Sequence, residues 1–141
     1  MGAWSHEPFG NDEANDWAYG LEETEDLSYV EAALDAVLEV DGYLEAPEGE
    51  SAVAAVEVIA KLLGKGTQSD AYTEKVDEWV KRVRVKPTRP LLEKAQRALA
   101  RIRGEQSELK DLWHQDGAAP DWDGAARWDA SLNSLYTAVT A

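Results

Sequence analysis

One stretch of this chain, from Glu50 to Leu63, restricts the folds open to it more than any other. Read as a helix, it carries its polar residues Glu50, Glu57 and Lys61 on one narrow strip, and nearly everything else is Ala, Val, Ile or Leu. A helix apolar on almost all sides must be nearly surrounded, so it belongs at the centre of a domain. Its length is far short of the roughly 20 apolar residues a bilayer span requires, and Glu57 and Lys61 interrupt it, so no membrane segment is expected. Gly64 and Gly66 end it.

The flanking sequence supplies the helices that would surround it. Asn11 is placed as an N-cap, with Asp12, Glu13 and Asp16 in the turn where the positive end of the helix dipole favours acids, and Trp17 and Leu21 share the face behind. Ser28 to Glu31 reads as a capping box, followed by the stripe Val30, Leu34, Val37 and Leu38; Gly42 closes that helix and Pro47 falls in the next loop. Tyr72, Val76, Trp79, Val80 and Val83 recur at helical spacing, Pro87 stops them, and Pro90 sits in the first turn of a helix carrying Leu91, Leu92, Ala95, Ala98, Leu99 and Ile102. A short helix from Ser107 through Trp113 and a last one carrying Trp122, Trp128, Leu132, Leu135 and Tyr136 complete the series. Strand patterning is confined to Arg82–Lys86, which continues a helical stripe. The expected fold is all-α: residues 1–141 as a single domain, an irregular bundle of six or seven helices.

Charge is the second constraint. The net charge is −14. Residues 1–60 hold sixteen Asp or Glu and no Lys or Arg, whereas Lys81–Arg103 holds nine of the fourteen basic residues against one acid, Glu93. Such a field disfavours nucleic acid and anionic membranes and favours a basic partner; the plainer reading is that acidic helices pack beside a basic one and partly neutralise it. Cysteine is absent, which excludes disulfides and thiol chemistry. The opening residues carry neither a basic nor an apolar signal region, and the expected location is the cytoplasm.

Met1-Gly2-Ala3-Trp4, Pro8-Phe9, Asn11-Asp12, Ala14 and Asp16-Trp17 together resemble the opening of a bacterial family, the domain of unknown function numbered 4259. Tyr43-Leu44-Glu45-Ala46-Pro47 before an Ala- and Val-rich helix, Ser107-Glu108-Leu109-Lys110, and Leu112-Trp113 are similar to later parts of the same family, so the likeness spans nearly the whole chain. Ser5 and Gly10 depart from it, standing where the family has glycine and aspartate. The resemblance implies a small bacterial protein whose N-terminal segment is part of the fold, and it brings no reaction with it.

Chemistry-bearing motifs are sparse. Asp12 and Asp16 lie four apart on one helical face, as two metal ligands would, but helix-capping charge explains them more simply. Asp111 and His114 look like half of a helical di-metal site, without the second half and further glutamates that such sites need. Gly64-Lys65-Gly66-Thr67 lacks the spacing of a phosphate-binding loop, and no Ser/His/Asp or Gly-x-Ser-x-Gly arrangement is present. The basic run Lys81, Arg82, Arg84, Lys86, Arg89, Lys94, Arg97, Arg101 and Arg103 has only Trp79 as an aromatic companion, and phosphate binding would oppose the surrounding negative field.

These features point to a non-enzymatic acidic binding protein with no cofactor or metal. Its partner would be a basic protein, in its concrete form a toxin held by an immunity- or antitoxin-like inhibitor. Asp12, Glu13, Asp16, Glu22, Glu23, Glu25, Asp26, Asp35 and Glu39 are the expected partner-binding residues. The alternative is a small helical ligand-binding protein or enzyme with a pocket near Trp113, Trp122 and Trp128. A deep cavity there, lined by carboxylates of shifted pKa, would favour it.

Overall fold

The computed structural model describes residues 5–114 and 123–140. Among them run seven helices: α1 (Asp12–Glu22), α2 (Ser28–Leu38), α3 (Ala46–Leu62), α4 (Glu74–Val83), α5 (Arg89–Arg103), α6 (Glu108–Trp113) and α7 (Gly124–Ala138), with a 3-10 turn at Ala71–Thr73 before α4. The fold is all-α. Among the described residues Leu44 and Ser107 form an isolated parallel bridge, closed by Leu44 N–H to Gln106 O at 2.7 Å and Glu108 N–H to Leu44 O at 2.9 Å.

Helix α3 packs against all six of the others. Every residue from Ala52 to Ala60 is buried, as a helix without a wet face requires. Small residues make this crowding possible: a side chain at Gly49 would meet Leu109 Cδ1 at 2.8 Å, so α6 can approach α3 only where there is no Cβ. Around the axis, one continuous core extends from Phe9 to Val139, with Trp17 and Trp79 among its buried members.

The polar strip of α3 is not a solvent strip. Glu57 is completely buried, and its carboxylate accepts from Thr67 N–H at 2.8 Å, Thr67 Oγ1–H at 2.7 Å and Gln68 N–H at 2.8 Å. Lys61 approaches Glu57 at 3.7 Å and pairs with Asp77 of α4 at 2.7 Å. Backbone amides of the 64–70 loop thus turn inward onto an internal carboxylate, which satisfies both the loop and the buried acid. Burial pushes the Glu57 carboxyl up, and its bonds to Thr67 and Gln68, then Lys61, pull the other way. Gln68 passes the connection on, accepting Phe9 N–H at 2.8 Å, so the segment around Phe9 is part of the fold.

Two helix starts differ from the sequence reading. Ser28 does not cap α2: its N–H and hydroxyl both donate to Asp26 Oδ1, at 3.0 and 2.6 Å, which leaves Leu27 as N-cap without a side-chain bond. Helix α3 begins at Ala46, so Pro47 lies in its first turn and not in the preceding loop. Proline is tolerated there because the N–H it lacks would have no helical partner. The free amide of Ala46 is met from elsewhere, by Glu108 Oε1 at 2.7 Å. Asn11 caps α1 as expected, accepting Ala14 N–H at 2.7 Å, and Gly104 ends α5.

Candidate interaction surface

Helix α1 turns Ala14, Trp17, Ala18 and Leu21 inward. Its outer face is therefore fixed by helical geometry: Asp12, Asp16, Tyr19 and Glu22 follow one another at steps of three or four, Glu23 lies four beyond Tyr19, and all are exposed. Asp12 occupies the first turn, where the dipole favours an acid. Glu22 and Glu23 occupy the last helical position and the C-cap, where it opposes one, and the last turn holds no basic residue. The guanidinium of Arg82 reaches the Glu22 carbonyl at 3.3 Å, not its carboxylate. Among the described residues, none of Asp12, Asp16, Glu22, Glu23 and Glu39 joins an ion pair.

The other sequence-predicted residues are engaged differently. Glu25 pairs with Arg82, and Asp35 shares Lys94 with Glu31, at 2.8 and 2.6 Å. These pairs stitch α4 to the α1–α2 loop and α5 to α2. The Asp35 and Glu31 contacts hold the Lys94 ammonium above its ordinary pKa. Asp26 is turned onto Ser28, whose hydrogen bonds hold its carboxyl below the usual range. Glu13 is half-buried, and Glu39 sits at the C-cap of α2. The nine carboxylates therefore divide: Asp12, Asp16, Glu22 and Glu23 in a stripe on α1, a half-buried Glu13, Glu39 at the end of α2, and Glu25, Asp26 and Asp35 committed to contacts within the chain.

The stripe borders a groove of about 320 Å3 between α1 and α4, whose walls include Tyr19, Glu22, Tyr72, Glu74, Lys75 and Glu78. Tyr19 is 61 % exposed and Tyr72 51 %. The ammonium of Lys75 lies 4.2 Å from the centre of the Tyr19 ring.

Near the C-terminal tryptophans the structure places something smaller. Trp128 is buried, its ring edge-on to His114 at 5.8 Å, and Trp113 packs on the core; Trp122 lies outside the described residues, as does Trp4. Beside them is a cavity of about 20 Å3, lined by residues including His6, Glu7, Glu50, Trp113 and Trp128. Burial, and then Glu13, Glu108 and Asp12, push the Glu50 carboxyl up to about 7. Sequence reading placed Glu50 on the polar strip and gave no sign of this perturbation. Asp111 and His114 diverge: Asp111 accepts from Tyr43 OH at 2.8 Å, and His114 Nε2 faces Asp129 Oδ1 at 3.0 Å. Among the described residues no group of three His, Cys, Asp or Glu is placed to hold a metal, and no helix is long and apolar enough to cross a membrane.

Compared with known proteins, residues 2–125 match the family model described as Domain of unknown function (DUF4259). No curated protein and no solved structure matches the chain.

Proposed function

The chain belongs to the DUF4259 family, whose description names no reaction, and from its surface we propose that it is a non-enzymatic bacterial protein that captures a basic protein partner. The observation that carries this reading is the acidic stripe of α1, above all Glu22 and Glu23. Carboxylates at a helix C-terminus are disfavoured by about 0.3–1 kcal/mol each, and Lys or Arg at either position would relieve that. Other cations of the chain are drawn into seams between elements, Arg82 at Glu25 and Lys94 at Glu31 and Asp35. Arg82 meets the negative pole of α1 at the Glu22 carbonyl but pairs with Glu25, so the Glu22 and Glu23 carboxylates break a local rule with only partial compensation, which is a mark of a functional surface. A cationic partner would supply the missing charge and be steered to it at long range.

Among the described residues the cavity beside Trp113 and Trp128 measures about 20 Å3, room for about one water molecule, and Trp122 lies outside them. A narrower form of the proposal is an immunity- or antitoxin-like inhibitor lying over the cleft of a cationic toxin.

The test compares the native chain with an Asp16→Lys/Glu23→Lys variant as baits. The expected result is one basic protein retained by the native chain at low salt, released at high salt, and not retained by the variant. Retention that survives both the salt and the double reversal refutes the proposal. The variant also carries an internal check: it should be at least as stable as the native chain, because a lysine in place of Glu23 complements the dipole.

A further inference from the structure

The groove between α1 and α4 has the chemistry of a receptor for one particular side chain. It combines three carboxylates, Glu22, Glu74 and Glu78, with two exposed tyrosine rings. Among the described residues none of those carboxylates joins an ion pair. Tyr19 shows what its ring attracts, because Lys75 already holds an ammonium over its face at 4.2 Å. That single lysine leaves the groove with a surplus of negative charge, and at about 320 Å3 it has room for a long side chain.

We propose that this groove seats an arginine side chain of the basic partner, an inference that rests on the docking role assigned to the α1 stripe. Arginine suits it better than lysine for geometric reasons. A guanidinium is planar and stacks on a tyrosine face while its fork of N–H donors reaches carboxylates at the rim; an ammonium is a compact, strongly hydrated point charge. Lys75 then acts as a resident cation that an entering guanidinium must share the site with. Its removal clears the Tyr19 face and deletes a like charge. Neighbouring residues of one helix turn thus have opposite roles, with Lys75 opposing the ligand and Glu78 holding it.

The experiment titrates the full chain with hexaarginine and hexalysine peptides by calorimetry at low and moderate salt. Hexaarginine should bind more tightly than hexalysine. Tyr19→Ala and Glu78→Lys should each weaken it about tenfold, Tyr19→Phe should leave it nearly unchanged, and Lys75→Ala should tighten it about threefold. The three positions lie at the surface of the groove, and circular dichroism confirms that each variant is folded. Equal affinity for the two peptides, or weaker binding in Lys75→Ala, overturns the arginine seat. Binding that is lost in Asp12→Lys/Asp16→Lys but indifferent to the groove variants also overturns it, while leaving the acidic docking face standing. Absence of any salt-sensitive binding by the native chain overturns the docking reading itself, and the groove with it.

Discussion

Replacing Glu50 by glutamine removes a charge that the fold holds at a disadvantage, and the sign of the effect can be worked out in advance. The Glu50 carboxyl titrates at about 7 in the folded chain against an ordinary value of 4.5. Between those two values the folded state keeps a proton that the unfolded state has released. Stability therefore falls as pH rises across that window and levels off above it. The full interval corresponds to a ceiling of about 3.4 kcal/mol. Glu50 is only partly buried, so water screens it, and about 1–2 kcal/mol is the magnitude to expect. The glutamine amide has a similar shape and no charge. Urea unfolding of the two proteins at about pH 5 and about pH 8 isolates the group, because other titrating residues are common to both and cancel in the difference. Glu50→Gln should be nearly neutral at the lower pH and more stable than the native chain at the higher. That gain corresponds to a rise in Tm of about 2–8 °C for a chain of this size. Equal effects at both pH values, or a loss of stability at the higher, would refute the argument that burial and the neighbouring Glu13, Glu108 and Asp12 penalise the charge.

Other consequences can be checked by the same unfolding measurements. Glu57→Ala strands the amides of Thr67 and Gln68 and leaves Lys61 with Asp77 and the Gln68 carbonyl, and should lower stability by about 3–5 kcal/mol. Gly20→Ala puts a methyl group 2.3 Å from the Tyr29 hydroxyl. The ring must move, and its bond to the Trp17 carbonyl and its stacking on Trp17 are lost, for about 1–3 kcal/mol and a changed near-ultraviolet dichroism. Asn11→Ala removes the α1 cap and should lower stability by about 1 kcal/mol at any salt concentration. Lys94→Met breaks the shared pair with Glu31 and Asp35, and the small loss of stability that follows should shrink as salt is added.

What the sequence made legible were properties of single helices. The all-round apolar character of residues 50–63 placed α3 at the centre, and Asn11, Pro90 and Gly104 fixed helix ends, because each acts within a turn of its own position. Features that depend on partners distant in the chain were not legible. The amide of Ala46 is capped from Glu108, and Glu57 is satisfied by a loop ten residues on, so neither the true start of α3 nor the burial of its polar strip could be read locally. Ser28 misled for a local reason: its N–H and hydroxyl both donate to Asp26, two residues earlier, and its oxygen caps no amide of α2. The same division runs through the candidate site. Helical periodicity suffices to align Asp12, Asp16, Glu22 and Glu23, but only the tertiary pairing of α4 and α5 shows that Glu25 and Asp35 are already answered. The groove at Tyr19 and Tyr72 requires α1 and α4 to lie side by side, which no local signal announces.

A net charge of −14 opposes compaction, so where the few cations are placed is informative. Lys61, Arg82 and Lys94 each join one helix to another element, through Asp77, Glu25, and Glu31 with Asp35. Arg101 donates to backbone carbonyls at Glu105 and Gln106, which closes the turn before α6. Arg82 brings a cation to the end of α1, at the Glu22 carbonyl, yet it pairs with Glu25 and leaves the carboxylates of Glu22 and Glu23 out of any ion pair among the described residues. Solubility alone does not account for their position, because carboxylates anywhere on the surface would serve it. An acidic stripe at a helix end, running beside a groove with exposed tyrosines, is the feature that the proposed capture of a basic partner would use.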